Sequence, residues 1–311
     1  MTKSYYSNGK VLLSGEYLVL DGALSLALPT KYGQFLEVET MDAPVLFWKS
    51  IDVRGAVWFQ WKLDLKMWGE RANQIVLPTT SLEAKRTAET LLRILEGVRT
   101  LNPQVLDGKK GYNVSTKLTF SRDWGLGSSS TLLYNLAQWA QVNPYELLWN
   151  TLGGSGYDIA SAQYNHPILY ALDNTMPTVT KVAFNPSFKN KLYFVHLNQK
   201  QNSAASIVSY KNLVFDKATA ISTISELTRA FASCKKVSDF ELLITEHEKV
   251  VSHILRKEPV KKILFPDYPG AIKSLGAWGG DFVLAVGDDT TPTYFKSKGY
   301  DTIIPYSAMV L

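Results

Sequence analysis

The chain has 311 residues, enough for two domains or one large one, because single hydrophobic cores stop growing near ~250–300 residues. Hydrophobic residues make up 46% and charged residues 20%, and no apolar run reaches the ~18 residues of a spanning helix, so a globular protein without a membrane span is expected. The 33 basic and 28 acidic residues leave a net charge of +5 with no basic block; the densest run, Lys257 to Lys262, is broken by Glu258 and Pro259, so no nucleic-acid partner is expected.

The first 65 or so residues read as strands and turns. GKVLLSGEYLVLDG is two apolar runs around Ser14-Gly15-Glu16, and GQFLEVET and AVWFQWKLDL alternate or carry β-favouring aromatics. Trp48, Trp58, Trp61 and Trp68 in this region suit a core or a subunit interface better than base stacking, which leaves a homodimer open. Thr80-Ser81-Leu82-Glu83 has the form of a capping box, and apolar residues then recur at helical spacing to about Thr100. Tyr112 to Phe120 alternates with period two, as a strand with one wet face. The loop DWGLGSSST, Asp123 to Thr131, follows, and from Ser128 onward the spacing is helical again.

Asn143-Pro144 opens a short helix, GGSG (Gly153 to Gly156) breaks it, and YDIASAQY opens another. Strands are predicted near His166–Leu172 and Lys191–Leu197, and helices over Thr219–Ser233 and Asp239–Leu255. A strand near Ala271–Leu275, the loop GAWGG, the strand FVLAV, a short helix and the strand DTIIPY complete the chain. The mixture argues an α+β fold, with a domain change near residue 173. His247 and His253, about 600° apart around a helix, do not make a zinc pair. The lone cysteine, Cys234, and the lack of a signal-like apolar core in the first residues point to the cytoplasm.

A glycine-rich loop running into a helix is a ready anion site, because the backbone can approach phosphate and the helix start offers unpaired N–H groups. GLGSSS is such a candidate; its plainer reading is a tight turn with a serine cap. The GxxxxGK[ST] fingerprint is absent, and Ser130 stands where GxGxxG needs its last glycine.

Three glycine-bearing segments in order, GKVLLSGEYLVLDG, DWGLGSSST and GAWGGDFVLAV, resemble the signature motifs of the galactokinase, homoserine kinase, mevalonate kinase and phosphomevalonate kinase superfamily (GHMP kinases). The middle motif is the most specific; in the last, Trp278 interrupts a run of residues that is usually small. The resemblance implies a two-domain fold: a mixed sheet with helices over residues 1–172 and a ferredoxin-like α+β domain over residues 173–311. It implies an ATP-dependent kinase of a small metabolite using Mg2+, with Gly125, Leu126, Gly127, Ser128, Ser129 and Ser130 around the ATP phosphates. Ser129 would be a magnesium ligand, and Gly276, Gly279 and Gly280 would shape the phosphate and acceptor pocket.

The resemblance also makes Asp158, in GSGYD, the catalytic aspartate, with Gly154 where the family pattern has Pro. Asp158 would orient the acceptor hydroxyl and take its proton late, and Lys10 would keep that carboxylate ionised and steady developing charge. On their own, Asp158 reads as a first-turn helix acid and Lys10 as a solvated strand residue. Glu16, Tyr17, Ser155 and Gly156 are expected beside the acceptor, although Glu16 alone reads equally as a metal partner, a lysine partner or a turn carboxylate.

Mevalonate kinases place a magnesium-binding Glu eleven residues before the Asp, which here is Leu147; the neighbouring Glu146 is the candidate instead, or simply a first-turn acid. Tyr17, where mevalonate kinases usually have His, looks more like phosphomevalonate kinases. Mevalonate or phosphomevalonate is therefore the expected acceptor. Homoserine, a sugar, a decarboxylase of the same family and a non-catalytic ligand sensor are the alternatives.

Overall fold

The structure is a computed structural model that describes residues 2–70, 81–199, 201 and 203–311. It divides into two compact units. The first comprises Met1–Gly9, Tyr32–Arg122 and Gly127–Gln163; the second comprises Lys10–Lys31, Asp123–Leu126 and Tyr164–Leu311. The sequence suggests a single division at 172/173, whereas these units interleave, because strands β1 (Thr2–Ser14) and β2 (Ser25–Met41) each contribute to both.

In the first unit, β3 (Val45–Ile51) and β4 (Val57–Asp64) form an antiparallel hairpin. β3 runs parallel to β5 (Gly111–Leu118), and β5 is antiparallel to the second half of β2. The alternation in the sequence becomes facing residues here: Trp48 lies opposite Trp61 and Val114, and Val38 opposite Val114. Burying one face of each strand drives this register, since a slip by one residue would turn every apolar side chain to water. Helix α1 (Leu65–Glu70) supplies Trp68, α2 (Leu82–Leu101) supplies Leu91, Ile94 and Leu95, and all enter one core with Trp48 and Trp61. The tryptophans are thus core residues, with Trp58 packed at the edge under the Arg122 guanidinium, 3.6 Å from its ring centre.

Thr80, the first residue of the expected capping box, lies outside the described residues. The cap of α2 is Ser81, whose Oγ accepts from the Ala84 amide at 3.0 Å. Helices α3 (Ser128–Ala140), α4 (Pro144–Thr151) and α5 (Tyr157–Gln163) complete the unit, and α3 packs against both α4 and α5.

In the second unit, the first residues of β2 pair with β6 (Ile168–Asp173), which pairs with β7 (Met176–Lys181). A separate antiparallel sheet has the order β11-β8-β10-β9, formed by β8 (Leu192–His196), β9 (Ile272–Ser274), β10 (Phe282–Val286) and β11 (Ile303–Pro305). Helices α6 (Ser203–Lys211), α7 (Lys217–Ser233), α8 (Val237–Leu255) and α9 (Val260–Leu264) connect β8 to β9, and α10 (Thr291–Ser297) connects β10 to β11. Numbered within the sheet, the order is four-one-three-two, the ferredoxin-like arrangement. The second apolar run of the first motif is not a strand: Leu18–Asp21 is a single 3-10 turn, because Tyr17 and Gly22 both take left-handed backbone. No helix among the described residues is long and apolar enough to cross a membrane.

Candidate functional site

The loop from Asp123 to Thr131 is held differently along its length. Its first part belongs to the second unit. The Lys10 amide donates to the Leu126 carbonyl at 3.0 Å, and the Lys10 ammonium donates to the Gly125 carbonyl at 3.0 Å. His196 Nε2 meets the Asp123 carbonyl at 3.0 Å, and Trp124 packs edge-on to Phe282. Gly125 is left-handed (φ 63), and a Cβ built there would lie 2.5 Å from the Asp281 carboxyl carbon. Only glycine meets both demands, the backbone conformation and the close approach.

Lys10, Leu126, Gly276 and Asp281 therefore gather around Gly125 in the second unit. The space among them is about 20 Å3, room for about one water. Their common effect is to fix the shape of the loop.

The second part of the loop opens α3 in the first unit. Gly127 is the N-cap, left-handed (φ 89), with no side chain capping the first turn. By contrast α2, α4 and α7 are capped by Ser81, Asn143 and Asp216. The expected plain serine cap is therefore absent. Ser130 turns back onto the Gly127 carbonyl at 2.9 Å, and Thr131 bonds Gln34 Oε1 at 2.7 Å. The hydroxyls of Ser128 and Ser129 have no hydrogen-bond partner among the described residues, and Ser129 is exposed. The first-turn amides of a 13-residue helix, at the positive end of its dipole, stand with two uncommitted hydroxyls. This set suits a phosphate group.

Asp158 is the second residue of α5, half-buried, and its Oδ1 accepts from the Ile159 amide at 3.1 Å. The glycines around Ser155 deliver the chain into α5: Gly153, Gly154 and Gly156 are all left-handed, a turn that other residues resist. Ser155 itself is buried. The helix that carries Asp158, α5, packs against α3, whose first turn carries the serines, within the first unit.

Glu146 lies exposed in the first turn of α4, where Asn143 Oδ1 caps Tyr145 and Glu146, and Leu147 is fully buried in the core. No group of three or more His, Cys, Asp or Glu side chains able to hold a metal occurs among the described residues. A magnesium ion here would take the Ser129 hydroxyl, with or without Glu146, and complete its shell from phosphate and water, the usual habit of that ion.

Glu16 corrects the expectation that it contacts an acceptor. It is fully buried, with one oxygen bonded to the Lys273 ammonium and the other 3.1 Å from His247 Nε2. Of the readings open to it, lysine partner is the one realised. Burial opposes its ionisation, but Lys273 and His247 outweigh that, and its pKa falls below the ordinary value. Burial pushes the His247 pKa down, with Lys273 adding to the effect. Burial also pushes Glu248 up to about 7 against the pull of Lys273.

Tyr17 is nearly buried too, and its hydroxyl donates to the Ala277 carbonyl at 2.7 Å, so it ties the third glycine loop rather than facing outward. Trp278, the intruder in that loop, takes left-handed backbone (φ 57) and joins the core beside Tyr17 and Tyr210. This leaves Gly276, Gly279 and Gly280 to form the loop's backbone, and Gln201 fills the place a Gly280 Cβ would need. Lys273, Asp281, His196 and Glu248 were not singled out in the sequence. The only available signal was a lysine and an aspartate flanking GAWGG.

No protein-family model and no curated protein matches the sequence. Solved structures do. The mevalonate kinase of Methanococcus jannaschii superposes with a TM-score of 0.70 at 15% identity, over 98% of this chain and 97% of that one. The Streptococcus pneumoniae phosphomevalonate kinase, in complex with phosphomevalonate and AMPPNP, superposes with a TM-score of 0.66 at 15% identity, over 95% of each chain. A D-glycero-D-manno-heptose 1-phosphate kinase from Bacteriodes thetaiotaomicron gives 0.62 at 14% identity, over 98% of this chain and 95% of that one. Over nearly its whole length, the chain has the fold of the GHMP small-molecule kinases.

Proposed function

We propose that the protein is a cytoplasmic ATP-dependent kinase of a small metabolite, with mevalonate or phosphomevalonate as the acceptor. The observation that carries this reading is the start of α3: uncapped amides and the free Ser128 and Ser129 hydroxyls, preceded in the chain by a loop that Lys10 and Asp281 hold in shape, on a fold shared with solved mevalonate, phosphomevalonate and heptose 1-phosphate kinases. Bound magnesium-ATP would supply the transferable phosphoryl group and the divalent charge. The α3 amides hold phosphate oxygens, and Ser129 offers its hydroxyl to the metal. Lys10 brings a positive charge to the Gly125 carbonyl, beside the phosphate loop. Asp158 orients the acceptor hydroxyl and accepts its proton as that oxygen becomes acidic.

The test is ADP release with magnesium-ATP against mevalonate, phosphomevalonate, homoserine, galactose and a heptose 1-phosphate. Release with one of the first two, lost by about 10²–10⁴-fold in Asp158→Asn with AMPPNP binding retained, is the expected result. Release only with a sugar or homoserine moves the acceptor class and keeps the kinase. AMPPNP binding without release for any acceptor favours a ligand sensor.

A further inference from the structure

The second unit holds a larger cavity that shares no lining residue with the space around Gly125. Between the N-terminal end of α7 and the C-terminal end of α8 lies a half-open cavity of about 860 Å3, within the ~300–1,000 Å3 range of small-molecule sites. Its floor is apolar: Phe215, Ala220 and Ile254 are part of the core layer under the two helices.

Its rim is charged in an asymmetric way. The acids are already committed within the protein. Asp216 caps α7 through the Thr219 amide and hydroxyl, and Glu258 pairs with Lys262 at 3.1 Å. Of the cations, Lys249 pairs with Glu246 at 3.8 Å, whereas the side chains of Arg256 and Lys257 make no hydrogen bond or ion pair with any described residue. Arg256 also holds the left-handed C-cap position of α8 (φ 54), where glycine is the less strained residue. The chain thus places a guanidinium on the cavity rim at a conformational cost.

We propose that this cavity binds a small amphiphilic anion, a phosphate-headed molecule with an apolar body. Arg256 and Lys257 hold the head, and Phe215 and Ile254 cover the body. The planar guanidinium fork matches phosphate oxygens in pairs, and the ammonium adds a second point charge. The site is independent of the kinase reading.

Isothermal titration of the full chain with octyl phosphate below its micelle concentration tests it, with inorganic phosphate and octanol as half-ligands. Octyl phosphate is expected to bind at least tenfold more tightly than either half. Arg256→Gly with Lys257→Gln is expected to weaken it tenfold or more while the melting temperature holds or rises, because glycine suits the left-handed cap. Phe215→Ser is expected to weaken octyl phosphate and leave inorganic phosphate unchanged. Equal binding by the double variant, or inorganic phosphate binding as tightly as octyl phosphate, overturns the proposal. Capture by phosphatidic acid vesicles without octyl phosphate binding overturns it in favour of a membrane surface.

Discussion

The Lys273 ammonium and the Glu16 carboxylate form an ion pair in which neither side chain is exposed. Glu16 sits in the turn after β1, and Lys273 lies on β9, three residues before Gly276. Two glycine-bearing motifs far apart in sequence are therefore joined by one buried bond, and the Tyr17 hydroxyl on the Ala277 carbonyl makes a second tie.

Breaking this pair from the lysine side should be costly. Lys273→Met strands Glu16 and leaves Glu248, 3.9 Å away, without its cation. A loss of about 3–5 kcal/mol in unfolding free energy is expected, and Glu16→Gln added to Lys273→Met should recover part of it. Urea unfolding of both variants measures this; a loss within about 0.5 kcal/mol, the size of an ordinary surface change, would show that the pair does not hold the turn.

The neighbouring Glu248 should make stability depend on pH in an unusual direction for a carboxylate. Its pKa stands at about 7 against an ordinary 4.5, so the folded chain holds this proton more tightly than the unfolded chain does. Its contribution is complete below about 4.5 and disappears as pH rises through about 7. Glu16 and His247, both lowered, act in the opposite sense and lose their contributions on acidification. The unfolding free energy of the native chain minus that of Glu248→Gln isolates one group. That difference should fall by about 1–3 kcal/mol between about pH 5 and about pH 8. A difference that stays flat or rises contradicts a protonated Glu248.

Gly125→Ala tests the loop. The added methyl meets the Asp281 carboxylate at 2.5 Å on left-handed backbone, so the loop must shift. A stability loss of about 1–3 kcal/mol and weaker AMPPNP binding are expected from thermal unfolding and titration. Binding at native strength would separate the loop's shape from nucleotide recognition.

Glu146 and Leu147 should part cleanly. Leu147→Ala opens a cavity in a fully buried position and should cost about 2–5 kcal/mol. Glu146→Gln, on the exposed face of α4, should leave stability within about 0.5 kcal/mol and raise the magnesium concentration needed for half-maximal ADP release. An unchanged magnesium requirement removes Glu146 from the metal site.

Much of the architecture was readable because it follows local rules. Period two over Tyr112 to Phe120 became β5, and the Asn143-Pro144 start became a capped α4. The short strand β7, Met176–Lys181, was missed because its residues are mostly exposed and carry little apolar alternation. The turn Leu18–Asp21 was read as an apolar strand run because nothing local announces a left-handed tyrosine.

By itself, the sequence determined most of the strands and helices in their order and the three glycine-bearing loops, and it offered the serines and aspartate on which a kinase reading rests. Spacing and turn chemistry act over a few residues, and that information survives without a fold. Only the tertiary structure decided that Glu16 is an internal counter-ion, that Trp278 turns into the core, that Asp281 backs Gly125, and that Arg256 and Lys257 rim an apolar cavity. Each of these depends on residues brought together from distant parts of the chain, and on burial, which changes the cost of a charge by several kcal/mol and has no signature in any short stretch.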